Sequence, residues 1–174
     1  MFPSFVIKGG KKLVGRVRVS GAKNAASKMM VASLLTDERV TLRNFPAIGE
    51  MDIVAELCES VGSKLTRSKG TISIHTPVLK NYEVLSLSRR NRIPILTLGP
   101  LLARAGKAEV PILGGDKIGP RPVGLHFAAL EAMGAKITVT ETSYKAEAPR
   151  GLHGAKIVFP FPSIGATENT ILAA

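Results

Sequence analysis

The sequence predicts an α/β (α+β) fold built from a repeated unit, and three observations lead there. First, "AELCESVGSKLTRSKGTISIHTP" (55–77) and "FAALEAMGAKITVTETSYKAEAP" (127–149) share one plan: an apolar-faced helix, a glycine, then two short strands around a turn. Second, "KMMVASLLTDERVTLRNFP" and "PILTLGPLLARAGKAEVPILG" each read as an apolar helix, a polar turn and a strand. Third, "SGAKN" at 20–24 is echoed by "IGATEN" at 164–169, where a third copy begins. The unit is helix–strand–helix–strand–strand with a lead-in strand before it.

Residues 1–20 stand outside the repeat. "SFVIKGG" and "GRVRVSG" read as two short strands around "KKLV", with a glycine turn. They have no helix of their own to pack on, so they are expected to pair with a part absent from this chain. Residues 21–174 hold two full units and the start of a third. Gly62 and Gly134, 72 residues apart, fall where a helix C-cap is expected, because glycine enters the left-handed region without steric cost. Leu57 or Cys58, and Leu130, face the core in this reading, with Cys58 as a small buried apolar residue. "AKIVFPF" reads as the lead-in strand of the third unit, and "ENTILAA" as an apolar helix still uncapped at Ala174. The expectation is an N-terminal portion of something longer.

Composition narrows the class. The chain has 174 residues, 45% of them hydrophobic, enough for one sizeable core. No apolar run reaches the roughly 18–20 residues of a membrane span, and the start does not read as a secretory leader. One cysteine gives no internal disulfide and suits a reducing cytosol. The net charge of +11 points to an anionic partner, either nucleic acid or a phosphorylated metabolite. The cations are dispersed and no RNA-recognition aromatics accompany them, which argues against nucleic acid. His75, His126 and His153 are too scattered for a metal cluster and read as structural or solvent-exposed.

"LGGDKIGPRPVGLH" (113–126) poses the sharpest question. Its glycines suit a turn and also the hinges of a lid. Asp116 is then either a turn-former or a reagent. Lys117 beside it favours the charged carboxylate, which counts against an acid.

"SGAKNAA", "RRNRIPILTLGPLLAR", "LGGDKIGPRPVGLH", "LEAMGAKI" and "SIGAT" follow each other in an order and spacing that resemble the UDP-N-acetylglucosamine 1-carboxyvinyltransferases. The resemblance covers essentially the whole chain. The related 5-enolpyruvylshikimate-3-phosphate synthases share the fold but build their first motif on Lys-Ser, where Lys23-Asn24 stands here. The resemblance implies two domains, each of three βαβαββ units around a pseudo-threefold axis. Residues 1–20 would join the second domain, and 21–174 would be the first domain, incomplete. It implies a cytoplasmic enzyme of peptidoglycan and cell-wall synthesis, and so of cell shape and division, acting on phosphoenolpyruvate and UDP-N-acetylglucosamine. No cofactor, metal, nucleic acid or membrane is implied. The rest of the enzyme would be supplied in cis or in trans.

Site residues follow from the same resemblance. Lys23 and Asn24 would hold phosphoenolpyruvate, and Arg92 would lie near the anionic substrates. Arg121, Pro122, Val123, Gly124 and Leu125, with Ser163, Ile164 and Gly165, would hold the uridine and diphosphate. Lys23 and Arg121 would also take part in catalysis. Asp116 would be the general acid, in the loop position where many members carry cysteine, and the base would lie beyond Ala174. A free aspartate has a pKa of about 3.9, so Asp116 would need burial or a neighbouring anion to act near neutrality. Gly124 replaces a frequent acidic residue, and Phe161-Pro162 precede Ser163 where a basic residue is common. Both departures would change the affinity for the nucleotide. A non-catalytic basic binding module is the reading from another class.

Overall fold

A computed structural model describes residues 4–87, 91–112 and 122–174. The first copy runs α1 (Lys23–Ala32), a 3-10 turn (Ser33–Leu35), β1 (Arg39–Arg43), α2 (Glu50–Ser60), β2 (Lys64–Ser68) and β3 (Thr71–His75). The second runs a 3-10 turn (Ile93–Thr97), α3 (Leu98–Ala105), β4 (Lys107–Pro111), α4 (Gly124–Ala132), β5 (Lys136–Val139) and β6 (Ser143–Glu147). A further helix, α5 (Ile164–Ala173), opens the third.

The two copies make two antiparallel sheets of one topology, ordered β1-β3-β2 and β4-β6-β5. Even the register repeats. Lys64 faces His75 in the first sheet, and Lys136 faces Glu147 in the second. The glycine caps repeat too. Gly62 and Gly134 have φ of +109° and +97°. After α2, Gly62 N donates to Glu59 O and Ser63 N to Cys58 O; after α4, Gly134 N donates to Glu131 O and Ala135 N to Leu130 O. These paired bonds form the Schellman arrangement, which satisfies the last helical carbonyls and aims the chain into the next strand.

Packing follows from alternation. β3 buries Ile72 and Ile74 on one face and leaves Thr71, Ser73 and His75 half-buried on the other. Against these faces lie Met30 and Val31 of α1, Val54, Leu57 and Cys58 of α2, and Leu101 and Leu102 of α3, in one continuous core shared with Leu130 of α4. Cys58 is fully buried as expected, and burial pushes its thiol up to about 12. At Gly99 a Cβ would come within 2.9 Å of Asn169 O and 3.0 Å of Leu172 C. Its absence lets α3 meet the backbone of α5. Arg104, at the end of α3, donates to the carbonyls of Leu34, Thr36 and Thr76 at 2.9–3.2 Å and ties the two copies together.

Two expectations are corrected, for "AKIVFPF" and for "PILTLGPLLARA". Residues 4–20 pair with no strand among the described residues and lie exposed, with Phe5 96% and Val6 97% accessible. A strand exists only against a hydrogen-bonding edge, and the edge expected for this segment belongs to a part absent from the chain. "AKIVFPF" is likewise extended without strand pairing. In the second copy the lead-in segment does meet β4, through a single parallel bridge between Glu83 and Glu109. The strand equivalent to β4 in a third copy would follow α5, which ends at Ala173. Finally, "PILTLGPLLARA" is not one helix. Ile93–Thr97 winds as a 3-10 turn, and α3 starts at Leu98. Pro100 then sits in the first turn of α3, where its missing N–H costs nothing.

Candidate active site

The expected site residues cluster at helix heads. Lys23 and Asn24 are the first two residues of α1. Arg92 immediately precedes the 3-10 turn that leads into α3. Gly124 and Leu125 open α4, with Pro122 and Val123 just ahead. Ile164 and Gly165 open α5, and the Ser163 side chain accepts from Ala166 N as its N-cap. Asp116 and Arg121 lie outside the described residues.

Charge at these heads is distributed unevenly. The first turns of α1, of the Ile93 turn, of α4 and of α5 contain no acidic residue, whereas α2 carries Glu50 and Asp52 in its first turn. Acids normally settle at helix N-termini because the unpaired N–H groups and the dipole favour negative charge. A head left without one keeps that capacity for a bound anion.

Three of these heads meet. His126, in the first turn of α4, is 6% exposed. Its ring edge, atoms Cε1 and Nε2, stands 3.3 Å from where a Cβ on Gly165 would be. Burial first, and then the positive charge of Arg92, lower the His126 pKa to about 4. The ring is therefore neutral at pH 7. Asn169, fully buried on α5, holds the junction: its Oδ1 accepts from Gly99 N, and its Nδ2 reaches Ile95 O and His126 Nδ1, each at 3.2 Å. α1 is linked to the same group by Lys28, which pairs with Glu168 of α5 at 3.1 Å. Lys23 pairs with Glu50 at the head of α2, with half its side chain still exposed.

The head of α1 is positioned by a tight backbone fit. A Cβ on Gly21 would lie 1.8 Å from Asn44 O. Asn44 itself adopts a left-handed φ of 53°, and Phe45 N donates to Gly70 O at 2.9 Å. The "SGAKN" loop thus lies directly against the connection between β1 and α2. A cavity of about 320 Å3 beside that connection is lined by Phe45, Ile48, Met51 and Arg67, among others, and by none of the expected site residues.

Sequence reasoning missed Asn169, and read His126 as structural or exposed without connecting it to the helix heads. The signal for Asn169 was present. It shares a buried helix face with Ala166, Leu172 and Ala173, where a polar residue requires partners. Those partners, at Ile95, Gly99 and His126, are distant in sequence, so no local pattern names them. Among the described residues, no helix is long and apolar enough to cross a membrane.

Residues 7–174 match the family described as EPSP synthase (3-phosphoshikimate 1-carboxyvinyltransferase). The UDP-N-acetylglucosamine 1-carboxyvinyltransferase of Chlamydia abortus is 52% identical over 170 residues, 95% of this chain and 38% of that protein. The enzyme of the same name from Acidiphilium cryptum is 46% identical, over 97% of this chain and 40% of its own length. Among solved structures, the enolpyruvyl transferase NikO from Streptomyces tendae superposes with a TM-score of 0.73 at 20% identity, covering 95% of this chain and 39% of that one. An EPSP synthase from Acinetobacter baumannii gives 0.66 at 18% identity, covering 91% and 37%. These structures share the fold. The chain spans about two fifths of the length of the curated relatives it matches.

Proposed function

This chain belongs to the EPSP synthase (3-phosphoshikimate 1-carboxyvinyltransferase) family, and from that premise we propose that it works as the N-terminal part of a UDP-N-acetylglucosamine 1-carboxyvinyltransferase. The reaction moves the enolpyruvyl group of phosphoenolpyruvate to the 3-hydroxyl of UDP-N-acetylglucosamine and releases phosphate. In the cell it is the first committed, cytoplasmic step of peptidoglycan synthesis, and through the cell wall it serves division and shape. The acceptor follows the names of the relatives at about half identity.

One observation carries the reading: helix heads free of acidic residues, three of them converging around His126 with Arg92 beside them. Both substrates are polyanions, and oriented N–H groups with fixed cations stabilise the charge that develops as phosphate departs. In this proposal Lys23 and Asn24 hold phosphoenolpyruvate at α1. Arg92 lies near the anionic substrates, and Arg121, Pro122, Val123, Gly124, Leu125, Ser163, Ile164 and Gly165 hold the nucleotide. Asp116 protonates the methylene carbon of phosphoenolpyruvate as the sugar oxygen adds to the neighbouring carbon, giving a tetrahedral ketal that loses a methyl proton again as phosphate leaves. A base supplied by the remainder of the enzyme takes the proton of the sugar hydroxyl.

The test is phosphate release by the full-length enzyme from phosphoenolpyruvate, with UDP-N-acetylglucosamine and, separately, shikimate 3-phosphate as acceptor. Turnover with the first alone is expected, and turnover with the second alone overturns the assignment. Asp116→Ala should lower kcat by the ~10²–10⁴-fold typical of general acid catalysis. Full activity would make Asp116 a turn residue. The 174-residue chain alone should give no product.

A further inference from the structure

We propose that Asn169 is a positioning residue that fixes the tautomer of His126, holding its ring with Nδ1 as acceptor and the proton on Nε2, at the head of α5. The inference rests on the proposed function only in treating that junction as part of the substrate cleft. The hydrogen bonds stand by themselves.

The argument starts from the amide. The side-chain oxygen and nitrogen of an asparagine are told apart by their partners. Gly99 N can only donate and Ile95 O can only accept. Asn169 meets both at 3.2 Å, Oδ1 on the first and Nδ2 on the second. A reversed amide would set donor against donor and acceptor against acceptor, at a residue with no exposure to water. The orientation is therefore set by backbone on α3 and on the turn before it. Nδ2 has a second hydrogen, and His126 Nδ1 lies 3.2 Å away. A proton on Nδ1 would face that hydrogen, so Nδ1 must accept. In a neutral imidazole the remaining proton is then on Nε2.

The geometry gives the tautomer a use. The Nε2 edge of the ring faces Gly165, and a Cβ there would crowd Cε1 and Nε2 at 3.3 Å. A neutral N–H donor is thus presented beside the first turn of α5, on a ring that burial, and then the Arg92 charge, keeps from gaining a second proton. Asn169 also bonds both ends of the segment from Ile95 to Gly99, so one side chain holds both the turn that follows Arg92 and the His126 ring.

The experiment is long-range 1H–15N correlation of the ring nitrogens in the 174-residue chain labelled at histidine. His126 is assigned by its loss in His126→Gln, and His75 and His153 serve as internal references. The wild type at pH 7 should show the Nε2-protonated pattern for His126. Asn169→Asp replaces the donor with an acceptor and should move His126 to the Nδ1-protonated or doubly protonated pattern, while His75 and His153 stay unchanged. A Nδ1-protonated or averaged His126 in the wild type overturns the proposal. So does an unchanged pattern in a folded Asn169→Asp. If Asn169→Asp does not fold, the wild-type spectrum decides, because the proposal requires one pattern there. None of these readouts involves turnover, so an enzyme that uses a different acceptor leaves the outcome intact.

Discussion

Replacing Gly21 with alanine tests how the head of α1 is held. Gly21 does not need its special backbone freedom, since its φ lies outside the left-handed range. Alanine is therefore tolerated by the local chain, and only the new Cβ matters. That atom would stand 1.8 Å from Asn44 O and 3.1 Å from Pro46 Cδ, where 3.0 Å is already closer than Cβ atoms come. Relief requires a movement of about 1.2 Å, and both sides of the contact are backbone. Asn44 cannot retreat freely, because the hydrogen bond from Phe45 N to Gly70 O fixes the next residue. Overpacking of this kind costs about 1–3 kcal/mol, partly offset by the about 0.4–1 kcal/mol that Gly→Ala gains from a stiffer unfolded chain. A net loss of about 1–2 kcal/mol corresponds to a fall in Tm of about 2–8 °C for a chain of this size. Urea unfolding followed by circular dichroism measures the loss. Gly154→Ala is the control, because nothing lies within 4 Å of its Cβ and it should be neutral or slightly stabilising. Equal midpoints for the two variants would refute the packing argument. In the full-length enzyme the same shift displaces Lys23 and Asn24, and a misplacement near 1 Å can cost about 100-fold in rate.

Three further outcomes are expected. His126 is neutral in the folded chain down to about pH 4 but protonates near 6.5 when unfolded. The unfolded state thus binds the extra proton first, and up to about 3 kcal/mol of stability is lost as pH falls from 6.5 to 4; His126→Gln should flatten that part of the pH–stability curve, and superimposable curves would contradict it. Cys58, buried with its thiol raised to about 12, should resist iodoacetamide in the native chain and react after denaturation, whereas rapid native labelling would show the site to be open. Arg104→Met removes the donor shared by Leu34, Thr36 and Thr76 and should cost about 2–3 kcal/mol; a loss below about 0.5 kcal/mol in urea unfolding would mean that water replaces it.

The sequence by itself determined the repeat. Gly62 and Gly134 mark the same helix end in both copies, because left-handed caps are costly for any residue with a side chain. The alternation in "TISIH" and the apolar stripe of "AELCES" are local patterns set by chain geometry, and they became β3 and α2. The helix heads were legible for the same reason. Lys23, Arg92 and Ser163 sit beside local start signals, and the structure finds them there. The strand expected at 155–161 is extended without pairing among the described residues, because a strand is a property of two segments and pattern reports only one. Tertiary structure alone decided what meets across the helix heads. The bonds from Asn169 to Ile95, Gly99 and His126 span 74, 70 and 43 residues. The closeness of Gly99 to α5 and of Gly21 to Asn44 belongs to surfaces that exist only after the units pack. Local sequence encodes propensity and face, whereas a junction between distant helices depends on how whole faces fit.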